Sequence, residues 1–285
     1  MLDEFSPGDY PANPLEKRGC ILEFSDEFDG PDIDTAKWFP FYLPHWSSRA
    51  RSTPSYYFEA SNLILQITKE QEPWCPEFDG EVRCSSIQTG EFAGPVGSRL
   101  GQLRFNTACL VRETQSNIQT YAPQYGYFEF RVRGVNTSAN HAALWMIGYE
   151  DSPEKSGEIA ICELVGSHTS STSSGVRFSV HPWGDPDLQE EFYEEFLTID
   201  TAQYHIYGLE WMPTHLNFYV DNVKIKTINQ SPNYPMQFMV GIYEHPFDGA
   251  WTGNYDPSAP YPKRFTIDYF RAYQPIGGYS VGTQK

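Results

Sequence analysis

The sequence predicts an all-β protein built from two packed antiparallel sheets. Three observations carry that expectation. Short runs of alternating apolar and polar residues recur along the chain, 22 glycines and 22 prolines punctuate them, and helical periodicity is weak throughout. Aromatic residues are abundant, with 19 Tyr, 19 Phe and 7 Trp, and such side chains suit a pleated, half-buried surface. At 285 residues an all-β sandwich or barrel folds as one domain. Residues 1–20 are Pro-rich and polar and read as an arm lying on the surface. Residues 21–285 carry no low-complexity linker, charge block or internal repeat and read as one domain.

The strand signals follow in order. SNLILQIT (61–68) alternates, with Leu63, Leu65 and Ile67 on one face. In YGYFEFRVRG (125–134), Phe128, Phe130 and Val132 face one way and Tyr127, Glu129, Arg131 and Arg133 the other. The polar set, Glu129 and Arg131 included, is expected either to line a cleft or to be solvated. QEEFYEEFLT (189–198) fits either a short helix or a strand with an acidic edge. HLNFYVDNVKIKTI (215–228) reads as a hairpin: strand LNFYV, turn Asp221-Asn222, strand VKIKTI. FTIDYFRAYQ (265–274) is a last alternating strand.

A net charge of −17 argues against nucleic acid and anionic membrane surfaces as partners, because both need a basic footprint. It also favours a neutral polymer over a sulfated or uronic-acid one. No run of 18 apolar residues occurs, so no transmembrane helix is expected. The N-terminal stretch lacks the basic-then-apolar pattern of a signal peptide. Five cysteines (20, 75, 84, 109 and 162) leave at least one unpaired. Cys75 and Cys84 bracket a short loop that a disulfide would close, and buried free thiols are the other reading. There is no Gly-rich phosphate loop after a strand, no His-Glu-x-x-His, no Cys-x-x-Cys and no Gly-x-Ser-x-Gly.

The stretch GEIAICELVG (157–166) carries the chemistry. Glu158 and Glu163 are separated by four residues, so plain alternation would send them to opposite faces. One β-bulge between them adds a residue and returns Glu163 to the face of Glu158. Their Cα atoms would then be about 13 Å apart or a little less, and two long side chains leaning together approach the ~5–5.5 Å between the carboxyl groups of a retaining glycosidase. The other reading is one solvated glutamate on each side of an edge strand.

The landmarks LEFSDEFDGPDIDTAKW (22–38), SNLILQI, YGYFEFRVR, HAALWMIG (141–148), the glutamate strand, YHIYGLEWMPTHLNFYVDN (204–222) and FTIDYFRAYQ occur in one order. That order is similar to glycoside hydrolase family 16, the laminarinase, lichenase and agarase group, across nearly the whole chain. The resemblance implies a β-jelly-roll sandwich of two curved antiparallel sheets with a concave sugar-binding cleft. It matches Glu158 to the nucleophile and Glu163 to the general acid/base of the bulged motif Glu-x-Asp-x-x-Glu. Where that motif has aspartate, this sequence has Ala160, which removes a hydrogen bond within the carboxyl cluster and a source of charge repulsion.

The same resemblance implies further roles. Trp145 is expected as a platform under the sugar at the cleaved bond or as core. His181 is expected near the acid/base, Trp183 as a stacking surface, Arg112 as a donor to sugar hydroxyls, and Trp46 with His45 on a cleft loop. Asp268 is expected to help hold a structural calcium on the convex side, an ion that prefers hard oxygen ligands; no cofactor is implied for catalysis. The implied protein is extracellular or on the cell surface, monomeric, and partnered by a polysaccharide. The expected activity is retaining, endo-acting hydrolysis of a neutral β-linked polysaccharide, first a β-1,3- or β-1,3-1,4-glucan, with galactans behind and transglycosylation as a variant. The alternative is a carbohydrate-binding protein on the same fold without turnover, for which Ala160 speaks.

Overall fold

In the computed structural model, which describes residues 5–279, the strand over YGYFEFRVRG runs from Gly126 to Arg133 and buries Phe128, Phe130 and Val132 completely. Each such side chain contributes about 1.5–3 kcal/mol when taken out of water. Sixteen strands are described: β1 (Cys20–Asp26), β2 (Ser55–Phe58), β3 (Leu63–Ile67), β4 (Arg83–Gln88), β5 (Gly90–Glu91), β6 (Ile118–Gln119), β7 (Gly126–Arg133), β8 (Asn140–Gly148), β9 (Glu158–Val165), β10 (Ser174–His181), β11 (Glu191–Leu197), β12 (His205–Trp211), β13 (Leu216–Val220), β14 (Val223–Ile228), β15 (Met236–Glu244) and β16 (Lys263–Pro275).

Fourteen of them form two large antiparallel sheets, and β5 and β6 pair with one another on their own. One is eight-stranded, in the order β14-β13-β12-β7-β16-β3-β2 with β1 on β16; the other is six-stranded, β11-β10-β9-β8-β15-β4. The inner faces meet in one core. Phe128, Phe130 and Phe270 of the first sheet pack on Phe238 of the second, and the Phe130 and Phe270 rings stack at 4.2 Å. This is the jelly-roll sandwich the sequence predicts.

The hairpin at 215–228 forms with Asp221 and Asn222 as its turn, at φ 50° and 67°. Two positive φ values match the twist of the flanking strands, and Asp and Asn tolerate them best among L residues. QEEFYEEFLT resolves as strand, since β11 closes one edge of the six-stranded sheet. FTIDYFRAYQ alternates only up to Ile267, because the register slips between Ile267 and Tyr269 and Asp268 is the extra residue.

On the polar face of β7, Glu129 and Arg131 are covered rather than solvated or set in the cleft between the glutamates, and only Arg133 at its end is exposed. The N-terminal arm crosses that face: Lys17 pairs with fully buried Glu129 at 3.0 Å, and Arg131 donates to the Tyr10 carbonyl at 2.9 Å. The Asn13 and Leu15 carbonyls accept from Arg271 and Tyr273. Cys75 and Cys84 do not bridge; all five thiols are free, and four of them are buried. No described helix is long and apolar enough to cross a membrane.

Candidate active site

The strand register puts both glutamates on one face. Across β8 and β9, Trp145 pairs with Ala160 and Leu144 with Cys162, so Ile161 has no partner. Across β9 and β10, Ser179 pairs with Ala160 and Arg177 with Glu163, again with one residue too many on β9. Ile161 is the bulge. Before it, Ile159 points into the core; after it, Cys162 and Leu164 do. Glu158, Ala160 and Glu163 therefore all face away from the core, as the expected bulge requires.

The outer face of the six-stranded sheet forms the floor of a cleft. A cavity of about 180 Å³ opens there, lined by Glu158, Ala160 and Glu163 from β9, Ala143, Trp145 and His141 from β8, and Tyr243 from β15. Tyr42, Val82, Leu103 and His245 come from loops around it, and Asp79 from the one-turn helix Pro76–Asp79. Trp145 lies on the cleft face beside Ala160 and donates its Nε1–H to the Tyr243 hydroxyl at 3.2 Å.

Electrostatics separate the two acids. Burial raises the Glu163 carboxyl to about 7, and the nearby Glu158 charge pushes the same way while Arg177 opposes it. Burial raises Glu158 as well, but the His181 charge and a hydrogen bond from Trp183 hold it down. Both glutamates keep some surface open to the cleft, yet protein surrounds them on every other side. A group that releases its proton near neutrality suits acid/base work, and one whose rise a positive charge and a hydrogen bond oppose suits nucleophilic attack.

Around these acids the donors are fixed. Trp183 donates its indole N–H to Glu158 Oε2 at 2.8 Å. His181 stands directly across from Glu158, with Nδ1 2.6 Å from Glu190 and Nε2 2.9 Å from the Ser179 hydroxyl. Arg177, across from Glu163, donates Nε–H to Glu194 at 3.0 Å, and His168 meets the same carboxylate oxygen at 2.6 Å.

Three expected site residues are not in the cleft. Trp46 is fully buried and donates to the carbonyls of Gln102 and Leu103 at 2.8 and 3.2 Å. It fastens the loop that brings Leu103 to the cleft, and a large apolar ring in a sealed cluster has no face left for a sugar. His45 is buried with it, 2.6 Å from Glu91, and a Cβ on Gly101 would come within 2.6 Å of the imidazole. Only glycine fits there. Arg112 is outside the cavity lining and pairs with Glu77 at 2.8 Å. Asp268 pairs with Arg131 at 2.6 Å, and no group of three His, Cys, Asp or Glu side chains able to hold a metal occurs among the described residues. A carboxylate already facing a guanidinium does not present the oxygen-rich donor set calcium takes, so the residues at Asp268 do not fit that ion.

Other cleft residues carried no separable signal in the sequence. Tyr243 lies in QFMVGIYE, a strand buried on both faces, where apolar residues run without alternation. His141 stacks on Tyr243 at 4.7 Å and sits 3.3 Å from His245; burial lowers His141 and brings His245 down to about 4, so both are neutral near pH 7.

The model of the family described as Glycosyl hydrolases family 16 matches residues 63–271. A glucan endo-1,3-beta-glucosidase A1 of Niallia circulans is 23% identical over 90% of this chain and 38% of its own length. A beta-porphyranase D of Zobellia galactanivorans is 24% identical over 93% of this chain and 62% of its own. Among solved structures, a GlcNAcα1-4Gal releasing endo-β-galactosidase from Clostridium perfringens superposes with a TM-score of 0.83 at 35% identity, covering 95% of this chain and 66% of that one. A laminarinase catalytic domain from Thermotoga petrophila superposes with a TM-score of 0.61 at 19% identity, covering 90% and 98%. This chain thus spans less than two thirds of the length of the two curated relatives named above. With the fold, the bulged glutamate strand and a match over most of its length, the chain belongs to glycosyl hydrolases family 16.

Proposed function

We propose that the protein is a retaining, endo-acting hydrolase that cleaves internal β-galactosidic bonds of a neutral glycan. The observation that carries the mechanism is the bulge at Ile161, which sets Glu158 and Glu163 on one wall of the cleft. In the first step a Glu158 carboxylate oxygen forms a bond to the anomeric carbon as the glycosidic C–O bond breaks. Glu163 gives its proton to the leaving oxygen. In the second step the Glu163 carboxylate takes a proton from water, the water oxygen attacks the same carbon, and Glu158 leaves as carboxylate.

The galactoside is supported by the 35% identity to an endo-β-galactosidase over 95% of this chain. A β-1,3-glucan, the first expectation from the sequence, is the second reading, supported by the glucanase relatives at 23% to 26% identity. A panel of a GlcNAcα1-4Gal-terminated glycan, agarose, laminarin and lichenan, read by new reducing ends, decides between them. Release from the galactose-containing substrates is the expected result. Cleavage of laminarin or lichenan alone would move the assignment to glucan. Binding without cleavage of any member, unchanged in Glu158→Gln, would make the protein a carbohydrate-binding one.

A further inference from the structure

Ala160, the next residue on the cleft face of the strand, offers Glu158 no polar group, and another residue meets the carboxyl instead. Among the described residues the one hydrogen bond to the Glu158 side chain comes from Trp183, whose Nε1–H lies 2.8 Å from Oε2. Trp183 is 48% exposed, and its backbone is in the left-handed region at φ 46°. A bulky residue pays strain to stay there, and burial does not explain a half-exposed indole.

The loop around it is fastened to the start of the glutamate strand. Gly184 N–H donates to the Ser156 hydroxyl at 2.8 Å. The Tyr234 hydroxyl donates to Asp185 at 2.5 Å and accepts from Gly157 N–H at 2.7 Å. Gly157 directly precedes Glu158. The residue that donates and the residue that accepts are thus tied to one another through Tyr234, and a Cβ on Gly157 would come within 2.5 Å of that hydroxyl.

We propose that Trp183 is a positioning residue for the nucleophile, its indole N–H holding Oε2 of Glu158 and leaving Oε1 to attack. This rests on Glu158 being the nucleophile. One donor to one oxygen fixes the rotation of the carboxyl plane and stabilises its anion. The other groups that face Glu158 do neither by contact. His181, itself bound to Glu190, lies across the strand pair, and Glu163 and Glu150 repel the anion. Tyr42 and Tyr243 are held neutral by burial. The indole is therefore a structural part of the site, where the sequence suggested a stacking surface.

The test needs no substrate. Protein labelled with ¹³C at the glutamate carboxyl carbon is titrated by NMR, with Glu158 assigned from the resonance missing in Glu158→Gln. In Trp183→Phe, which keeps a ring and loses the N–H, the Glu158 midpoint should rise by about one pH unit. In the unaltered protein the Trp183 indole ¹H–¹⁵N resonance should shift with the same midpoint as Glu158, a readout that holds even if the variant folds poorly. A midpoint within about 0.2 unit of the parent, or an indole resonance that ignores the Glu158 titration, would overturn the proposal. On a cleaved substrate, Trp183→Phe should lower kcat about tenfold with KM within about twofold; a raised KM with kcat unchanged would mean stacking on sugar instead. A parent protein that cleaves nothing sinks the hydrolase assignment, whereas the titrations alone judge the contact.

Discussion

Glu158 and Glu163 stand on one face of β9 although an odd number of positions separates them, because Ile161 between them has no partner on either neighbouring strand. Deleting Ile161 leaves the two glutamates four positions apart, an even spacing that keeps both on the cleft face of a regular strand. The folded deletion variant should therefore keep part of its turnover, while loss of the buried Ile161 side chain should destabilise the fold by about 1.5–3 kcal/mol. Reducing-end assays and urea unfolding read the two effects. Complete loss of turnover in a folded deletion variant would show that sharing a face is not what the bulge contributes to the pair.

The two glutamates should fail in different ways. Glu158→Gln removes the attacking oxygen, and turnover of every substrate should fall by at least about a thousandfold. Glu163→Gln removes the proton donor and should cost about a hundred- to ten-thousandfold on a natural glycan. An aryl glycoside whose leaving group needs no proton should still transfer its sugar to Glu158 in that variant. Mass spectrometry of the quenched protein would then show the glycosyl adduct. An adduct absent in Glu163→Gln but present in Glu158→Gln would reverse the assigned roles.

Glu163 titrates at about 7, and Arg177 is the principal group holding it down. As the acid it must be protonated, so kcat/KM should fall as pH rises through 7. Arg177→Met removes the positive charge and should move that basic limb upward by about half a unit to one unit. A limb that stays put or moves down would show that another group sets it.

Glu150 gives a prediction about stability. It is buried, accepts from Leu103 N–H at 2.6 Å, and is raised to about 8 chiefly by burial. A raised acid contributes stability that is present below its unfolded value and is lost as pH rises through its folded value. The loss runs from about pH 4.5 to 8. Glu150→Gln keeps the acceptor and cannot ionise. Its advantage over the parent should be near zero at pH 4 and grow to roughly 5 kcal/mol at pH 9. Urea midpoints across that range measure it, and a pH-independent difference would contradict it.

Strands β3 and β7 and the hairpin turn at Asp221-Asn222 were legible because their sequences alternate apolar with polar residues, or put turn residues where φ must be positive. The bulge was legible because two glutamates with four residues between them make no sense in a regular strand. The loops were not. Trp46, His45 and Arg112 are residue types that suit a cleft, yet partners distant in sequence decide where each ends up: the Gln102 carbonyl for Trp46, Glu91 for His45 and Glu77 for Arg112. Glu129 and Arg131 read as either cleft-lining or solvated because the arm that covers them shows no pattern of its own. Tyr243 and His141 lie in strands buried on both faces, where alternation carries no sign of which face is the cleft.

The stereochemistry of the first-formed product tests the central claim most directly. Proton NMR recorded within the first minutes of cleavage, before mutarotation, reports the anomer released from a β-linked substrate. A bulge-paired nucleophile and acid/base on one wall of the cleft predicts the β anomer, since two inversions restore the configuration. The α anomer as first product would contradict the account, because it would mean that water attacks directly and Glu158 forms no bond to sugar.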